Sequence, residues 1–162
     1  MKIYKNIKEC RLCFSKKLLP ILNLGNHQPS NTLRNKLNIY IPPVPLKILY
    51  CKKCKTVQLS STVKPSFLFS KYVWVTATSA TAKNYSKVFC KRVLKKLSKT
   101  KNNFVIEIAS NDGTFLKPFL KAKNKVLGID PAKNIAKIAK KSGVETLPSF
   151  FDVNIAKKIE KK

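Results

Sequence analysis

The best-defined pattern of apolar and polar positions lies in residues 104–130. Residues 104–108 form a short, nearly continuous apolar run, which predicts a parallel strand covered on both faces. Residues 114–122 place their apolar side chains at helical spacing, which predicts an amphipathic helix. Residues 126–129 form a second apolar run and predict a second strand. The pattern therefore predicts the strand–helix–strand unit of an open α/β sheet.

Polar residues follow both predicted strands. The loop 109–113 is rich in small side chains, so it can turn sharply and approach a ligand closely. Asp130 stands at the carboxyl end of the second strand, where an acid can bind ribose hydroxyls, and Pro131 takes the favoured first position of the next helix. The spacing from Glu107 to Asp130 suits a nucleotide-type site, but the loop lacks the three glycines of the dinucleotide fingerprint. A cofactor site and an ordinary unit that binds nothing both remain open.

Other segments show weaker examples of these patterns, which are short apolar runs and apolar residues at helical spacing. They predict helices over 79–97 and 132–141, a strand over 144–147, and short strands over 18–24, 46–50 and 57–59. The Asn- and Pro-rich residues 25–45 predict a loop, and the lysines from Ile155 onward predict a tail. Three parallel strands are about half of a doubly wound sheet. We therefore expect an unpaired edge that is either sticky or completed by a second polypeptide.

Four of the five cysteines form two C-x-x-C pairs, namely Cys10, Cys13, Cys51 and Cys54. Each pair can wrap as a knuckle, so that two knuckles present four thiolates at the corners of a tetrahedron. Such a set favours zinc in a structural role. Disulfides and a redox-active dithiol are the alternatives. They are less favoured because neither a signal peptide nor an apolar run of membrane length is found, so that the expected compartment is the reducing cytoplasm.

The remaining cysteine and the only histidine receive structural interpretations. Cys90 lies within the predicted helix 79–97, where a lone cysteine is usually a small core residue. His27 lies in a predicted turn, and four cysteines already fill the coordination shell of a zinc ion. Neither residue is predicted to be a ligand or a nucleophile.

The strongly basic composition raises the question of nucleic-acid binding. The net charge is +27 over 162 residues, with 34 basic residues of which all but three are lysine. Recognition of phosphates and bases favours the planar fork of arginine, and the lysines are scattered along the whole chain. Specific nucleic-acid binding is therefore not expected, whereas loose attraction to polyanions is.

Taken together, the motifs resemble a known family. The residues that carry the resemblance are the four-cysteine module, Val57-Gln58-Leu59, residues 68–74, the Thr- and Ser-rich segment through Ala80, residues 107–113, residues 128–131 and Phe150-Phe151. In this order and spacing they resemble the S-adenosylmethionine-dependent sugar C-methyltransferases, in which a zinc-binding module precedes a class I methyltransferase domain and a further C-terminal domain. The fold class implied is α/β, with a Cys₄ zinc-ribbon-like module at 1–64, a connecting segment at 65–100 and the first half of a Rossmann-like methyltransferase sheet at 101–162.

The resemblance also implies a role for individual residues. The first methyltransferase motif, which surrounds S-adenosylmethionine, is matched by Glu107, Ala109, Ser110, Asn111, Asp112 and Gly113. The acid that binds the ribose hydroxyls, with its neighbour, is matched by Asp130 and Pro131. Tyr72 and Trp74 match a tyrosine-x-tyrosine element near the active site, with the second aromatic changed, and are candidates for substrate contact. Tyr85 stands where some relatives have histidine.

Members of this family are much longer than 162 residues. Their general base and most of their sugar-binding residues lie in the part that this chain lacks, so no catalytic residue is assigned. The resemblance implies the N-terminal part of a C-methyltransferase acting on a nucleotide-linked keto-sugar, inactive by itself, with the rest supplied by a second polypeptide. The alternative is a non-catalytic zinc-binding interaction module that retains a remnant of the cofactor fold.

Overall fold

The computed structural model of this chain describes residues 3–30, 32–33, 38–97 and 101–160. The chain divides into two compact units, Met1–Leu68 and Phe69–Lys162. The predicted fold class is confirmed, because a four-cysteine cluster occupies the first unit and a parallel three-stranded sheet occupies the second. This arrangement is consistent with a partial Rossmann-like fold.

The first unit is built from short antiparallel strands. Its elements are β1 (Tyr4–Asn6), β2 (Leu18–His27), β3 (Val44–Cys51), β4 (Val57–Leu59), β5 (Ser61–Val63) and the short helix α1 (Pro65–Phe69), which crosses into the second unit. Strands β2, β3 and β4 form one sheet in that order, and β1 pairs with β5 in a second. The three strands predicted around the cysteine pairs are therefore confirmed, β4 with the predicted ends and β2 and β3 longer than predicted.

Strand β2 is longer than the sequence predicted. His27 was expected in a turn, but it is the last residue of β2 and pairs with β3. A register shift between Asn23 and Asn26 lets the strand continue past Gly25, whose φ of 82° is a left-handed conformation that glycine adopts without strain. The predicted loop therefore begins after β2 and not at residue 25. Residues 31 and 34–37 of that loop lie outside the described part of the chain.

The second unit contains the parallel sheet and its helices. Its elements are a 3₁₀ turn (Thr76–Thr78), α2 (Ala80–Lys96), β6 (Phe104–Ile108), α3 (Leu116–Lys121), β7 (Lys125–Ile129), α4 (Lys133–Lys141), β8 (Thr146–Leu147) and α5 (Val153–Glu160). The strand order is β6-β7-β8, and both pairings are parallel. The core between the sheet and helices α3 and α4 contains Leu116, Ala139 and Val144, packed against Val105 and Val126.

Helix α2 begins and ends where the pattern predicted. The hydroxyl of Ser79 accepts from the backbone N–H of Ala82 at 3.1 Å and caps the first turn. Phe89 packs edge-on against Phe115 of the segment before α3, with ring centroids 5.8 Å apart. Cys90 is 4% exposed within α2, which confirms its interpretation as a small core residue.

Two helices of this unit begin later than predicted, for the same physical reason. The carboxylate of Asp112 accepts from the backbone N–H and the hydroxyl of Thr114, so a turn precedes α3 where helix was expected. The carboxylate of Asp130 accepts from the backbone N–H of Ala132 at 2.9 Å, and α4 begins after that residue. Pro131 therefore precedes the helix and is not its first residue.

The predicted tail is helix α5. The Asp152 side chain accepts from the backbone N–H of Ile155 at 2.8 Å, which satisfies a donor of the first turn. Ile159 is buried and lies beside Leu127 and Leu147 of the sheet. Lysine-rich composition concealed this apolar face from the sequence analysis. Residues 161 and 162 lie outside the described range.

Strand β6 differs from its prediction in one important respect. Only the side that carries Val105 and Glu107 is covered by α3 and α4, whereas Phe104, Ile106 and Ile108 are 53%, 42% and 55% exposed. Within the described residues, no strand pairs with the outer edge of β6. The expectation of a strand covered on both faces is therefore wrong for this chain, because the apolar run cannot show whether a second layer is present.

Candidate functional site

The first candidate site is the cysteine cluster. The Sγ atoms of Cys10, Cys13, Cys51 and Cys54 all lie within 4.8 Å of one another, and all four cysteines are free. The Cys10–Cys54 and Cys13–Cys51 sulfur pairs are 3.5 and 3.6 Å apart. Four sulfurs around a tetrahedral zinc at ~2.3 Å are roughly 3.8 Å apart. The donor set therefore fits a zinc ion closely.

The two knuckles repeat one backbone geometry. In the first, the N–H of Phe14 donates to the carbonyl of Cys10 at 3.0 Å, and Phe14 has a φ of 57°. In the second, the N–H of Lys55 donates to the carbonyl of Cys51 at 2.9 Å, and Lys55 has a φ of 65°. Each turn thus spans five residues with a left-handed residue at its end, and it directs both sulfurs of its pair to the same point.

Arg11 connects the first knuckle to the strands after the second. Its backbone N–H donates to the side-chain oxygen of Gln58 at 3.1 Å. Its guanidinium donates to the carbonyl of Leu59 at 3.1 Å and to the hydroxyl of Thr62 at 2.8 Å. These bonds bring together knuckles that are separated by a long stretch of chain, and spacing alone could not reveal them.

The cysteines share negative charge unequally. Hydrogen bonding by the hydroxyl and backbone N–H of Thr56 lowers the pKa of Cys54 to about 6. The backbone N–H of Ser15 lowers the pKa of Cys13, but desolvation and the neighbouring sulfurs outweigh it and raise that pKa to about 11. Four thiolates this close repel one another, and a divalent cation at their centre removes the conflict.

The second candidate site is a cavity of about 540 Å³ at the carboxyl end of the parallel sheet. It is lined by Phe69, Tyr72, Thr76, Ile108, Ala109, Asn111, Ile129, Asp130, Pro131, Ala132, Ser149, Phe150 and Phe151. The carboxyl ends of parallel strands are the usual ligand-binding edge of open α/β sheets. A volume of this size is within the range of small-molecule sites.

The loop after β6 adopts a conformation that its sequence conceals. Ala109, Asn111 and Gly113 have φ angles of 59°, 50° and 75°, so three alternating residues are left-handed. Such angles usually require glycine, and asparagine tolerates them better than most residues. The loop therefore adopts, with only one glycine, left-handed angles that are usual in glycine-rich turns. Counting glycines could not detect this.

The predicted cofactor residues separate into two groups. Ala109, Asn111, Asp130 and Pro131 line the cavity, whereas Glu107, Ser110, Asp112 and Gly113 do not. Asp112 is buried, holds the turn before α3 and lies 4.0 Å from the amine of Lys117.

Ser110 and Gly113 allow close packing behind the loop. The hydroxyl of Ser110 is buried without a hydrogen-bond partner in the described structure, and it lies where a Cβ at Gly128 would be. A Cβ at Gly113 would meet Val144 at 2.8 Å. Glycine at 113 and 128 is therefore required by packing.

Glu107 has the most perturbed carboxyl group of the second unit. Burial, followed by repulsion from Asp112 and Asp130, raises its pKa to about 7. Its Oε2 atom is buried and has no hydrogen-bond partner among the described residues. A carboxyl group in this state can accept a hydrogen bond from a cation or an amine at neutral pH.

The aromatic residues predicted to contact substrate have different positions. Tyr72 lines the cavity, and Trp74, which is 53% exposed, does not. Tyr85 packs against Phe115 on the α2–α3 interface, with centroids 6.1 Å apart. The cavity walls missed by residue-level reasoning are Phe69, Thr76 and Ser149, together with Phe150 and Phe151, whose motif had no assigned role. An aromatic pair just after the last predicted strand was the available signal.

No helix in the described part of the chain is long and apolar enough to cross a membrane.

Comparison with known proteins bears chiefly on the first of these sites. Residues 10–69 match the family described as "Putative zinc binding domain". Across 159 residues the chain is 28% identical to the C-methyltransferase NovU of Streptomyces niveus, an alignment that covers 97% of this chain and 38% of the relative. The chain thus spans about two fifths of the length of the relative that it matches. It carries the N-terminal zinc-binding domain of a C-methyltransferase-like protein.

Proposed function

We propose that this chain forms the cofactor-binding N-terminal part of an S-adenosylmethionine-dependent methyltransferase that acts on a carbon atom of a nucleotide-linked keto-sugar. The observation that carries the proposal is the cavity at the carboxyl edge of the sheet, bordered by Asp130 and by the left-handed loop 109–113. The four-cysteine zinc site of the first unit and the similarity to a C-methyltransferase support it.

The residues around the cavity fit such a cofactor. The carboxylate of Asp130 accepts two backbone N–H groups and keeps lone pairs for ribose hydroxyls. Phe69, Phe150 and Phe151 supply apolar walls of the kind that adenine rings pack against. The left-handed residues of the loop let its backbone approach the methionine end. When bound, S-adenosylmethionine supplies an electrophilic methyl group on a sulfonium ion.

Methyl transfer to carbon also needs a base that removes a proton beside a carbonyl group. Tyr72 and Trp74 are the substrate-contact candidates of this chain, and only Tyr72 lines the cavity. We assign no base to this chain, and we propose that the base and most of the sugar site lie in the part of the enzyme that corresponds to the rest of the relative's length, which this chain does not span.

The outer edge of β6 is the place where that part would join. Its exposed side chains Phe104, Ile106 and Ile108 form an apolar stripe beside an unpaired strand edge. Leu127 is the register partner of Ile106, so both lie on the face that carries the stripe, and Ile159 of α5 lines a small cavity together with Leu127. Because crossovers between parallel strands are right-handed, a strand that follows a helix on this face pairs on the β6 side. A further strand there would also cover the stripe.

Ligand binding by titration calorimetry tests the proposal. We expect S-adenosylmethionine to bind the chain with a dissociation constant of ~100 μM, about 5.5 kcal/mol. Asp130 also holds two loops, so its substitution can weaken binding without loss of a direct ligand contact. The decisive comparison therefore measures two ligands, with and without ribose hydroxyls, against the parent chain and the Asp130→Ala variant. Adenosine should lose ~1–2 kcal/mol on Asp130→Ala, whereas 2′,3′-dideoxyadenosine should bind both proteins equally.

Glu160→Ala, which removes an exposed acid from α5, is the control for net charge. If neither adenosine nor S-adenosylmethionine binds at millimolar concentration, the proposal fails and the alternative, a non-catalytic zinc-binding interaction module, replaces it. An equal loss for both nucleosides would show that Asp130 acts only through the loops.

A further inference from the structure

The segment between α1 and α2 forms one side of the cavity with little regular structure of its own. Apart from the 3₁₀ turn Thr76–Thr78, residues 70–79 belong to neither helix nor strand. Val73 and Trp74 are 48% and 53% exposed, so burial of these side chains contributes little to its position. Yet Tyr72 and Thr76 of this segment line the cavity. Its backbone hydrogen bonds therefore contribute strongly to its position.

One asparagine binds both backbone groups of Tyr72. The side-chain oxygen of Asn134, in α4, accepts from the N–H of Tyr72 at 3.1 Å. The side-chain nitrogen of Asn134 donates to the carbonyl of Tyr72 at 2.7 Å. The N–H of Lys133 donates to the carbonyl of Ser70 at 3.2 Å and extends the same contact. The first turn of α4 thus holds the segment through three hydrogen bonds to its backbone.

A second asparagine binds the segment four residues further on. The side-chain oxygen of Asn111 accepts from the N–H of Thr76 at 2.8 Å, and its side-chain nitrogen donates to the carbonyl of Trp74 at 3.1 Å. The backbone N–H of Asn111 donates to the carboxylate of Asp130 at 2.8 Å. Asn111 also has one of the left-handed conformations of the loop. One residue therefore joins the cavity wall, the loop and the acid.

We propose that Asn111 and Asn134 are positioning residues that fix residues 72–76 as a wall of the cavity, and that Asn111 couples this wall to Asp130. The first half of the inference concerns the chain without ligand. The second half, that the two asparagines set the affinity for the cofactor, rests on the proposed function.

The side-chain amides of Asn111 and Asn134 each accept one hydrogen bond and donate one. Both positions therefore need a side chain that has an acceptor and a donor. Alanine removes both bonds, and aspartate keeps the acceptor and loses the donor. The two asparagines also act on different amides of the segment. A general loss of stability would accelerate exchange everywhere, whereas loss of one contact accelerates exchange at its own partner.

Amide hydrogen exchange on the whole chain without ligand tests the first half. Asn111→Ala should accelerate exchange of the Thr76 amide by about tenfold or more and leave the exchange rate of the Tyr72 amide within about twofold of that in the parent chain. Asn134→Ala should do the reverse. Asn154→Ala, an exposed asparagine of α5, should change neither. If Asn111→Ala unfolds the unit, Asn111→Asp provides the test, because it should preserve protection at Thr76 and shift the emission of Trp74, the only tryptophan.

In the alanine variants, unchanged exchange at both amides or equal acceleration at both would overturn the proposal, as would an unchanged emission of Trp74 in Asn111→Asp. The second half is tested by titrating adenosine into the same proteins, and both alanine variants should bind about 3–10-fold more weakly. Equal affinity for adenosine in the parent chain and both variants would show that the two asparagines do not affect cofactor binding. If the parent chain binds no nucleoside, the proposed function fails, and the exchange results still decide whether the asparagines position the wall.

Discussion

The backbone N–H of Asn111 donates to Oδ2 of Asp130 at 2.8 Å, which joins the loop after β6 to the loop after β7. The other carboxylate oxygen accepts from the N–H of Ala132 at 2.9 Å. The acid proposed to bind ribose is therefore already oriented by the fold, and a ligand need not spend binding energy on ordering it. Substitution of Asp130 changes both the ligand contact and the shape of the loops.

We predict that the purified chain contains one zinc ion and that Cys51→Ser loses it. Folding of the first unit should be coupled to zinc, because structural zinc contributes on the order of 10 kcal/mol in small domains. Elemental analysis gives the stoichiometry, and nuclear magnetic resonance of residues 1–68 shows whether that unit is folded. Cys90→Ser is the matched control, since Cys90 lies outside the cluster and should retain full zinc content. A zinc-free protein with the same folded spectrum would contradict the prediction.

The second prediction concerns pH. The pKa of Glu107 is raised from 4.5 to about 7 in the folded chain, so folding favours its protonated form. The free energy of unfolding should therefore fall as the pH rises from about 4.5 through 7, and Glu107→Gln should remove this fall. Because the side chain is partly exposed, screening reduces the effect to about 1–2 kcal/mol at pH 8.

Urea unfolding followed by the emission of Trp74 reports on the second unit alone. At pH 8 the Glu107→Gln protein should be the more stable of the two, and near pH 4.5 the two should be equal. Glu160→Gln, at an exposed position, should follow the parent chain throughout. A stability of the parent that rises with pH in this window would contradict the predicted sign.

The third prediction compares two glycines of the second unit. Gly113 and Gly143 have φ angles of 75° and 84°, but a Cβ at Gly113 would meet Val144 at 2.8 Å, whereas nothing lies within 4 Å of one at Gly143. Gly143→Ala should cost about 1 kcal/mol from the backbone alone. Gly113→Ala should cost about 2–4 kcal/mol, since overpacking is added. The measurement is urea unfolding, and equal losses would show that Val144 moves aside freely.

The fourth prediction is that this chain alone transfers no methyl group. A base must lie within hydrogen-bond reach of the substrate proton, and the walls that align the sugar supply much of the rate. The assay follows labelled methyl from S-adenosylmethionine to nucleotide-linked keto-sugars, with and without the product of the downstream reading frame. Turnover by the chain alone would assign the base to one of its own residues, with Glu107 and Tyr72 the first to substitute.

Local patterns in the sequence were sufficient for the helices and strands that bear the sites. Periodicity predicted α2, β6 and β7, because each has its own apolar pattern. The pairing of two C-x-x-C motifs predicted the metal cluster, because ligand spacing is itself a local property. Carboxylates displaced the starts of α3 and α4, since an Asp side chain competes with the helix for the first N–H groups.

The sequence by itself therefore determined α2, β6 and β7, the cysteine cluster and the acid at the end of β7. Only the tertiary structure decided which residues meet around the cavity, since Asn111 reaches Thr76 across 35 positions and Asn134 reaches Tyr72 across 62. Contacts over such separations depend on sheet register and on where each loop is anchored, and neither leaves a periodic signal. The left-handed loop has the same cause. The N–H groups of Ala109 and Ser110 donate to the carbonyl of Ile129 in β7, and the N–H of Asn111 donates to the carboxylate of Asp130. This tertiary restraint imposes a backbone on Ala109 and Asn111 that their own preferences would not select.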